Sequence, residues 1–364
     1  MSDLRLQNTM SALISKTALF LVLLLVASQL LLQPFVYHPF WGAPLFISKY
    51  DQFFDSNTNY DAVFIGSSRT FRNTNPFIFD SISGLKSFNF GIEEVGCPFN
   101  YDLTDRVLGS KKATEINYLF LELFSPENNL PEELMSDVNQ TNKALFWYQP
   151  ADFIFSFRAL AESRSLAVRE KYDEVKVHFF TLIQTLFKIG HVQRIVDSEQ
   201  KQLHDLYLGA RMDGFYSYDE EIKTKYGDYL NERYEKIRED QPYFDTRRTC
   251  SSDEYLSQFE NYSELKFHRA YIEELNRKCE KKGIQLVLVL QPRMTEKQCE
   301  YFHRFDVSEI KNIPILDYSS SNRHPAYYQI DNVFDQGHLN TKGAHIFTST
   351  LAQDFNQIAN QQNK

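Results

Sequence analysis

Apolar residues fall into one long run near the start of the chain and five short runs later. The long run, Thr17 to Gln33, reads TALFLVLLLVASQLLLQ, with Ser28 and Gln29 the only polar residues deep inside it. Extended to residues 13–37, it can cross a hydrocarbon core of about 30 Å as a helix. Arg5 and Lys16 precede it, and no Lys or Arg follows until Lys49. That asymmetry leaves residues 1–12 in the cytoplasm and everything after the anchor outside it. A cleaved signal peptide ending at Val26-Ala27-Ser28 is the competing reading. Apolar residues continue past that point to Leu32, which favours an uncleaved anchor. Both readings export the rest of the chain to a periplasmic or extracellular space.

The short runs look like buried strands. Ala62–Ile65 ends at Gly66-Ser67-Ser68, and Ser87–Phe90 ends at Gly91. Ile116–Leu121, Ile284–Leu290 and Ile313–Leu316 complete the set. Residues 100–111, 255–282 and 342–360 between and after them have helical spacing. Apolar strands alternating with helices predict an α/β fold with a parallel sheet covered on both faces. Residues 38–57, with Pro39 and Pro44, read as a juxtamembrane connector. About 160 residues separate the third and fourth runs, far more than one crossover needs. Residues 126–250 are therefore expected to form a helical, aromatic-rich insert with its own core, splitting the sheet domain into 58–125 and 251–364. Lys223–Tyr226 and Glu235–Glu239 read as solvated helix faces within it.

Composition narrows this further. The 364 residues are 43% hydrophobic and 15% aromatic, ample for a core. The absence of a second long apolar run excludes a polytopic membrane protein. A net charge of −9 argues against nucleic acid as a partner. Cys97, Cys250, Cys279 and Cys299 lack CxxC spacing, so no zinc or redox motif is expected, and they read as buried or free thiols. His345 and Asp331 lie near His338, but no recognised ligand spacing supports a metal there. No cofactor is implied.

Two segments carry candidate chemistry. Gly66-Ser-Ser68-Arg69 follows the first strand, where open α/β sheets place their ligands. A helix starting there would aim its N-terminal amides at a developing oxyanion. Asp335-Gln-Gly-His338 lies near the other end of the chain, with the carboxylate three residues from the imidazole it could orient. A serine with an aspartate-backed histidine is the equipment of acyl transfer at neutral pH. G-x-S-x-G, H-E-x-x-H, the P-loop pattern and G-x-G-x-x-G are all absent. Each segment alone is commonplace, one as a turn or N-cap and the other as a structural hydrogen bond. Their occurrence together, in this order, favours catalysis.

These blocks resemble the SGNH (GDSL-type) hydrolase superfamily, closest to membrane-anchored branches handling acyl groups of the cell envelope or exopolysaccharide. Gly66-Ser67-Ser68 is similar to its first block, Asn89-Phe90-Gly91 to its second and Asp335-Gln-Gly-His338 to its last, with Leu339-Asn340 and Gly343 extending it. The resemblance covers residues 58–125 and 284–360 and implies a flavodoxin-like three-layer sandwich with a five-stranded parallel sheet. It implies Ser68 as nucleophile, His338 as base, Asp335 as its orienter, and the Ser68 and Gly91 amides as oxyanion donors. Ser67, Arg69, Asn89 and Arg293 would line the site, Arg69 either binding an anionic group or forming a salt bridge. The third block, Gly-x-Asn-Asp, is missing: the third strand runs on as Glu122-Leu-Phe-Ser-Pro-Glu-Asn128, leaving Asn128 or Asn129 as a displaced substitute. The expected activity is ester hydrolysis or O-acyl transfer, acetyl by default, on an envelope glycan or polymer. The other reading is a non-catalytic assembly or glycan-binding partner of a polysaccharide acylation system, working with a membrane-bound acyltransferase.

Overall fold

The structure, a computed structural model, describes residues 2–36, 44–93, 99–123, 148–162, 167–187, 206–225, 227–240, 263–292 and 312–362. Its centre is a parallel sheet of β1 (Ala62–Gly66), β2 (Ser87–Gly91), β3 (Tyr118–Glu122), β4 (Gln285–Leu290) and β5 (Ile315–Asp317). The order is β2-β1-β3-β4-β5, all neighbours parallel, consistent with a flavodoxin-like sandwich. The five expected runs are these five strands.

The helices are α1 (Ser2–Val36), α2 (Pro44–Phe54), α3 (Ser68–Asn73), α4 (Pro76–Ser83), α5 (Phe99–Gly109), α6 (Pro150–Glu162), α7 (Val168–Phe187), α8 (Tyr218–Glu221), α9 (Asp228–Glu239), α10 (Ser263–Glu280) and α11 (Thr341–Gln362). Strand alternation divides the core into two layers. Val63, Ile65, Phe88, Phe90, Leu119, Leu121, Leu286 and Leu288 face one way, against Phe53 of α2, Val107 of α5 and Ile272 and Leu275 of α10. Ala62, Phe64, Phe120, Val287 and Val289 face the other, against Phe79 of α4 and Phe347, Leu351 and Phe355 of α11.

Three expectations change. The connector is no mere spacer: α2 buries Leu45, Phe46 and Phe53 in the first layer, because its apolar positions recur at helical spacing. The described part of the insert divides its buried residues: Tyr218 and Leu230 form a small cluster of their own with Phe334, and others join the sheet layers. Leu208 and Tyr216 join the first layer, and Ile237 joins the second. The Glu235–Glu239 face is not wholly solvated either, since Arg238 donates to the carbonyls of Val333 and Phe334.

The sequence expected to form the anchor lies in α1, which runs unbroken to Val36. Its described apolar side chains, including Leu13, Phe20, Leu23 and Leu30, are exposed. Among the described residues, no helix is long and apolar enough to cross a membrane. The side chains at 29 and 31–36 of α1 lie outside those residues, as does residue 37. Cys279 is buried and unpaired, and burial pushes its thiol up to about 12. Cys97, Cys250 and Cys299 lie outside the described residues.

Candidate active site

The Ser68 corner forms where β1 runs into α3. Ser67 is the N-cap: its extended backbone stops the strand, and its Oγ accepts from the Arg69 amide at 3.1 Å. Ser68 is therefore the first helical residue, part-exposed while its neighbours are buried. Glu122, at the end of β3, ties the corner down. Its carboxylate accepts from the Ser67 amide (2.8 Å), Ser67 Oγ (2.9 Å), Thr70 Oγ1 (2.6 Å) and Arg69 Nε (2.9 Å). Gly66 is demanded by this crowding, since a Cβ there would lie 2.1 Å from Thr70 Oγ1 and 2.4 Å from Glu122 Oε2.

Asn89 secures the far end of the same short helix. Its Nδ2 donates to the carbonyls of Thr74 (2.6 Å) and Thr70 (2.7 Å), the latter also accepting the Thr74 amide at 3.2 Å. Its Oδ1 accepts from the Gly91 amide at 2.9 Å. Gly91 itself presses on α3, where a Cβ would lie 2.3 Å from the Phe71 nitrogen.

The second half of the site is the turn 335–338, not a helical turn but the tip of a small hairpin. Val333 pairs antiparallel with Leu339, and the Phe334 amide donates to the His338 carbonyl at 2.9 Å. Asp335 Oδ1 accepts from the Gly337 amide at 2.7 Å, which folds the turn back on its own carboxylate. The Leu339 amide donates to Asn73 Oδ1 at 2.9 Å, joining the turn to the end of α3.

The two halves meet. His338 Nε2 lies 2.8 Å from Ser68 Oγ, and His338 Nδ1 lies 2.8 Å from Asp335 Oδ1. Serine, histidine and aspartate thus form one hydrogen-bonded chain, in the order a serine acyl-transfer triad requires. Burial alone would raise the Asp335 carboxyl, but His338, Arg233 and the Gly337 amide outweigh it and hold the group well below the usual carboxylate range. The carboxylate form is the one that orients an imidazole and stabilises its protonated state.

No protein-family model, curated protein or solved structure matches the chain.

Not every expected site residue faces the reacting atoms. Ser67 Oγ and Arg69 Nε both bond Glu122, so Arg69 forms the salt bridge, one of the two roles expected for it. Asn89 is fully buried and works as a clamp. The Gly91 amide, expected as an oxyanion donor, is taken by Asn89 Oδ1 because that side chain turns back along its own strand. The Ser68 amide, at the open start of α3, has no hydrogen-bond partner among the described residues and is the donor left for an oxyanion. Arg293, Asn128 and Asn129 lie outside the described residues.

Other contributors come from the insert. Arg233 of α9 forms an ion pair with Asp335 Oδ2, the oxygen His338 does not use, and its Nη2 lies 3.4 Å from His338 Nδ1. The Tyr218 ring stands edge-on to the imidazole, with centroids 4.9 Å apart. Tyr218 is fixed in turn by Glu93, which accepts from its hydroxyl at 3.0 Å and pairs with the buried Arg72 of α3. Asp219 accepts from the Thr341 amide where α11 starts. None of these has a local sequence signature. Glu122 alone had a positional cue, standing just after the third apolar run.

Proposed function

We propose that the chain is a membrane-anchored serine esterase or O-acyltransferase acting on acyl esters, acetyl by default, of an extracytoplasmic glycan or envelope polymer. The observation that carries this reading is the continuous contact from Ser68 Oγ through His338 to Asp335, both links at 2.8 Å. His338 Nε2 takes the Ser68 proton as Oγ attacks the acyl carbonyl carbon, and the carbonyl oxygen becomes an oxyanion beside the Ser68 amide. The tetrahedral intermediate collapses by breaking the ester C–O bond, and His338 returns the proton to the leaving sugar hydroxyl. Water, or a second sugar hydroxyl, then attacks the acyl-enzyme with His338 again as base. Water gives hydrolysis and the hydroxyl gives transfer. Support for the anchor is the unbroken α1 with its exposed apolar side chains, and the charge asymmetry about it supports an extracytoplasmic catalytic domain.

One observation favours a second reading, a non-catalytic partner of a membrane-bound acyltransferase. With the Gly91 amide engaged and the third block replaced by Glu122, the Ser68 amide is what remains of the expected oxyanion donors. Loss of one such donor costs about 10²–10³ in rate. The experiment separating the readings incubates the full chain in detergent with an acetylated glycan and a non-acetylated acceptor, following released acetate and acceptor mass. The esterase or transferase reading expects one of these products, lost in Ser68→Ala. Equal product from Ser68→Ala rejects Ser68 as the nucleophile, and no product from the unaltered chain leaves the non-catalytic reading.

A further inference from the structure

The hairpin of α6 and α7 is joined to the catalytic domain on one side and bare on the other. Its inner side is complete. Tyr148 is fully buried with its hydroxyl 2.7 Å from His178 Nδ1, and Asp152, Ser156, Leu160 and Thr181 are buried with it. Phe153 and Leu182 pack on the first core layer. From Phe153 a chain of aromatic contacts leads outward to Phe157 and Phe179 and on to Phe180. There Ile154, Phe157, Phe179 and Phe180 are about half exposed, Phe180 to 62%. A bare apolar patch next to a finished interior marks a surface made to be covered.

Two further features say by what. First, charge in α7 is segregated along the helix: Arg169, Glu170, Lys171, Asp173, Glu174 and Lys176 all precede residue 177, and 177–187 carries no Asp, Glu, Lys or Arg. The helix is thus water-suited at one end and apolar at the other. Second, α7 packs against α1, in which Leu25, Ala27 and Ser28 are partly covered while Val26 and Leu30 stay exposed. In the anchor reading of the preceding section, on which this inference rests, that is the outward half of the membrane helix. We infer that the α6–α7 hairpin is an interfacial element, laying Ile154, Phe157, Phe179 and Phe180 into the outer leaflet beside α1. A lipid surface is continuous with both apolar exteriors. The catalytic domain would then be held against the bilayer through two contacts, a spanning helix and a hairpin lying in the interface.

The test uses the full chain in nanodiscs of phosphatidylcholine and phosphatidylglycerol, with Cys97, Cys250 and Cys299 replaced by Ser. An environment-sensitive dye is attached in turn through Phe180→Cys, Phe157→Cys, Phe20→Cys and, as a water-facing control, Tyr229→Cys of α9. All four positions are exposed, which keeps the fold. Lipids spin-labelled near the headgroup should quench the dye at 180 and 157 at least about twofold more than at 229, with a blue-shifted emission. Equal quenching at 180, 157 and 229 overturns the hairpin assignment. In that case a lipid-accessible dye at 20 shows that the anchor stands without it, and a water-exposed one shows that both fail. Quenching at 180 and 157 without any at 20 keeps the hairpin's lipid contact but rejects the anchor, and with it the place beside a spanning α1.

Discussion

Ser68 and His338 touch, yet the two regions that present them are built differently. The Ser68 corner is held by elements of the sheet domain: Glu122 from β3 under the start of α3, Asn89 from β2 under its end. Every one of these contacts is buried. The His338 turn is shared. Asn73 and its own backbone hold one side, while Arg233, Arg238 and Asp219 of the insert hold the other. Arg233 is 39% exposed against 0% for Glu122. Ser68 therefore stands on a buried frame, and the position of His338 depends on whether the insert is seated.

The sharpest break in that scheme is within the triad. Asp335→Asn should keep the fold and lower reaction with an ester substrate by about 10³–10⁴, because the amide no longer holds His338 in the tautomer that accepts the Ser68 proton. Single-turnover acylation rates measure this. Next comes the frame. Glu122→Ala leaves Arg69 as a buried charge and three donors without partners, and should lower stability by about 3–5 kcal/mol, read from chemical denaturation. Glu122→Gln, keeping one acceptor oxygen, should fall between.

The insert side should be gentler. Arg233→Ala leaves Ser68, His338 and Asp335 in place but frees the turn, and should slow acylation by about 10- to 100-fold with little change in melting temperature. Arg233→Lys should recover part of the loss. An Arg233→Ala chain that behaves like Asp335→Asn would erase the distinction between frame and insert. The smallest effect is a pH signature. The Asp335 carboxyl is held below the ordinary aspartate value of about 3.9, so its contribution to folding is complete above that pH and lost as pH falls below it. The melting-temperature difference between the wild type and Asp335→Asn should therefore be largest at neutral pH and shrink below about pH 4.

The same comparison explains what could be read from the chain. All five strands and the Ser68, Asp335 and His338 set were legible, because each is written within a few consecutive residues: an apolar run, a glycine stop, an Asp-x-x-His spacing. Local signals fail where a residue acts across the fold. Glu122 meets Ser67 from 55 positions away, and Arg233 meets Asp335 from 102. Arg238 sits in a stretch that alternates charge like any solvated helix, yet its guanidinium ends on the carbonyls of Val333 and Phe334. Asn89 and Gly91 were legible as a motif but not in their present roles, since which neighbour a short side chain folds onto is settled by tertiary packing.

The central claim is that Ser68 is an activated nucleophile. Treating the full chain with a fluorophosphonate and mapping the adduct by peptide mass tests it most directly. The account predicts one adduct, on Ser68, absent from Ser68→Ala and strongly reduced in His338→Ala. An adduct that persists unchanged in Ser68→Ala, or an unaltered chain that takes up no label, would contradict it.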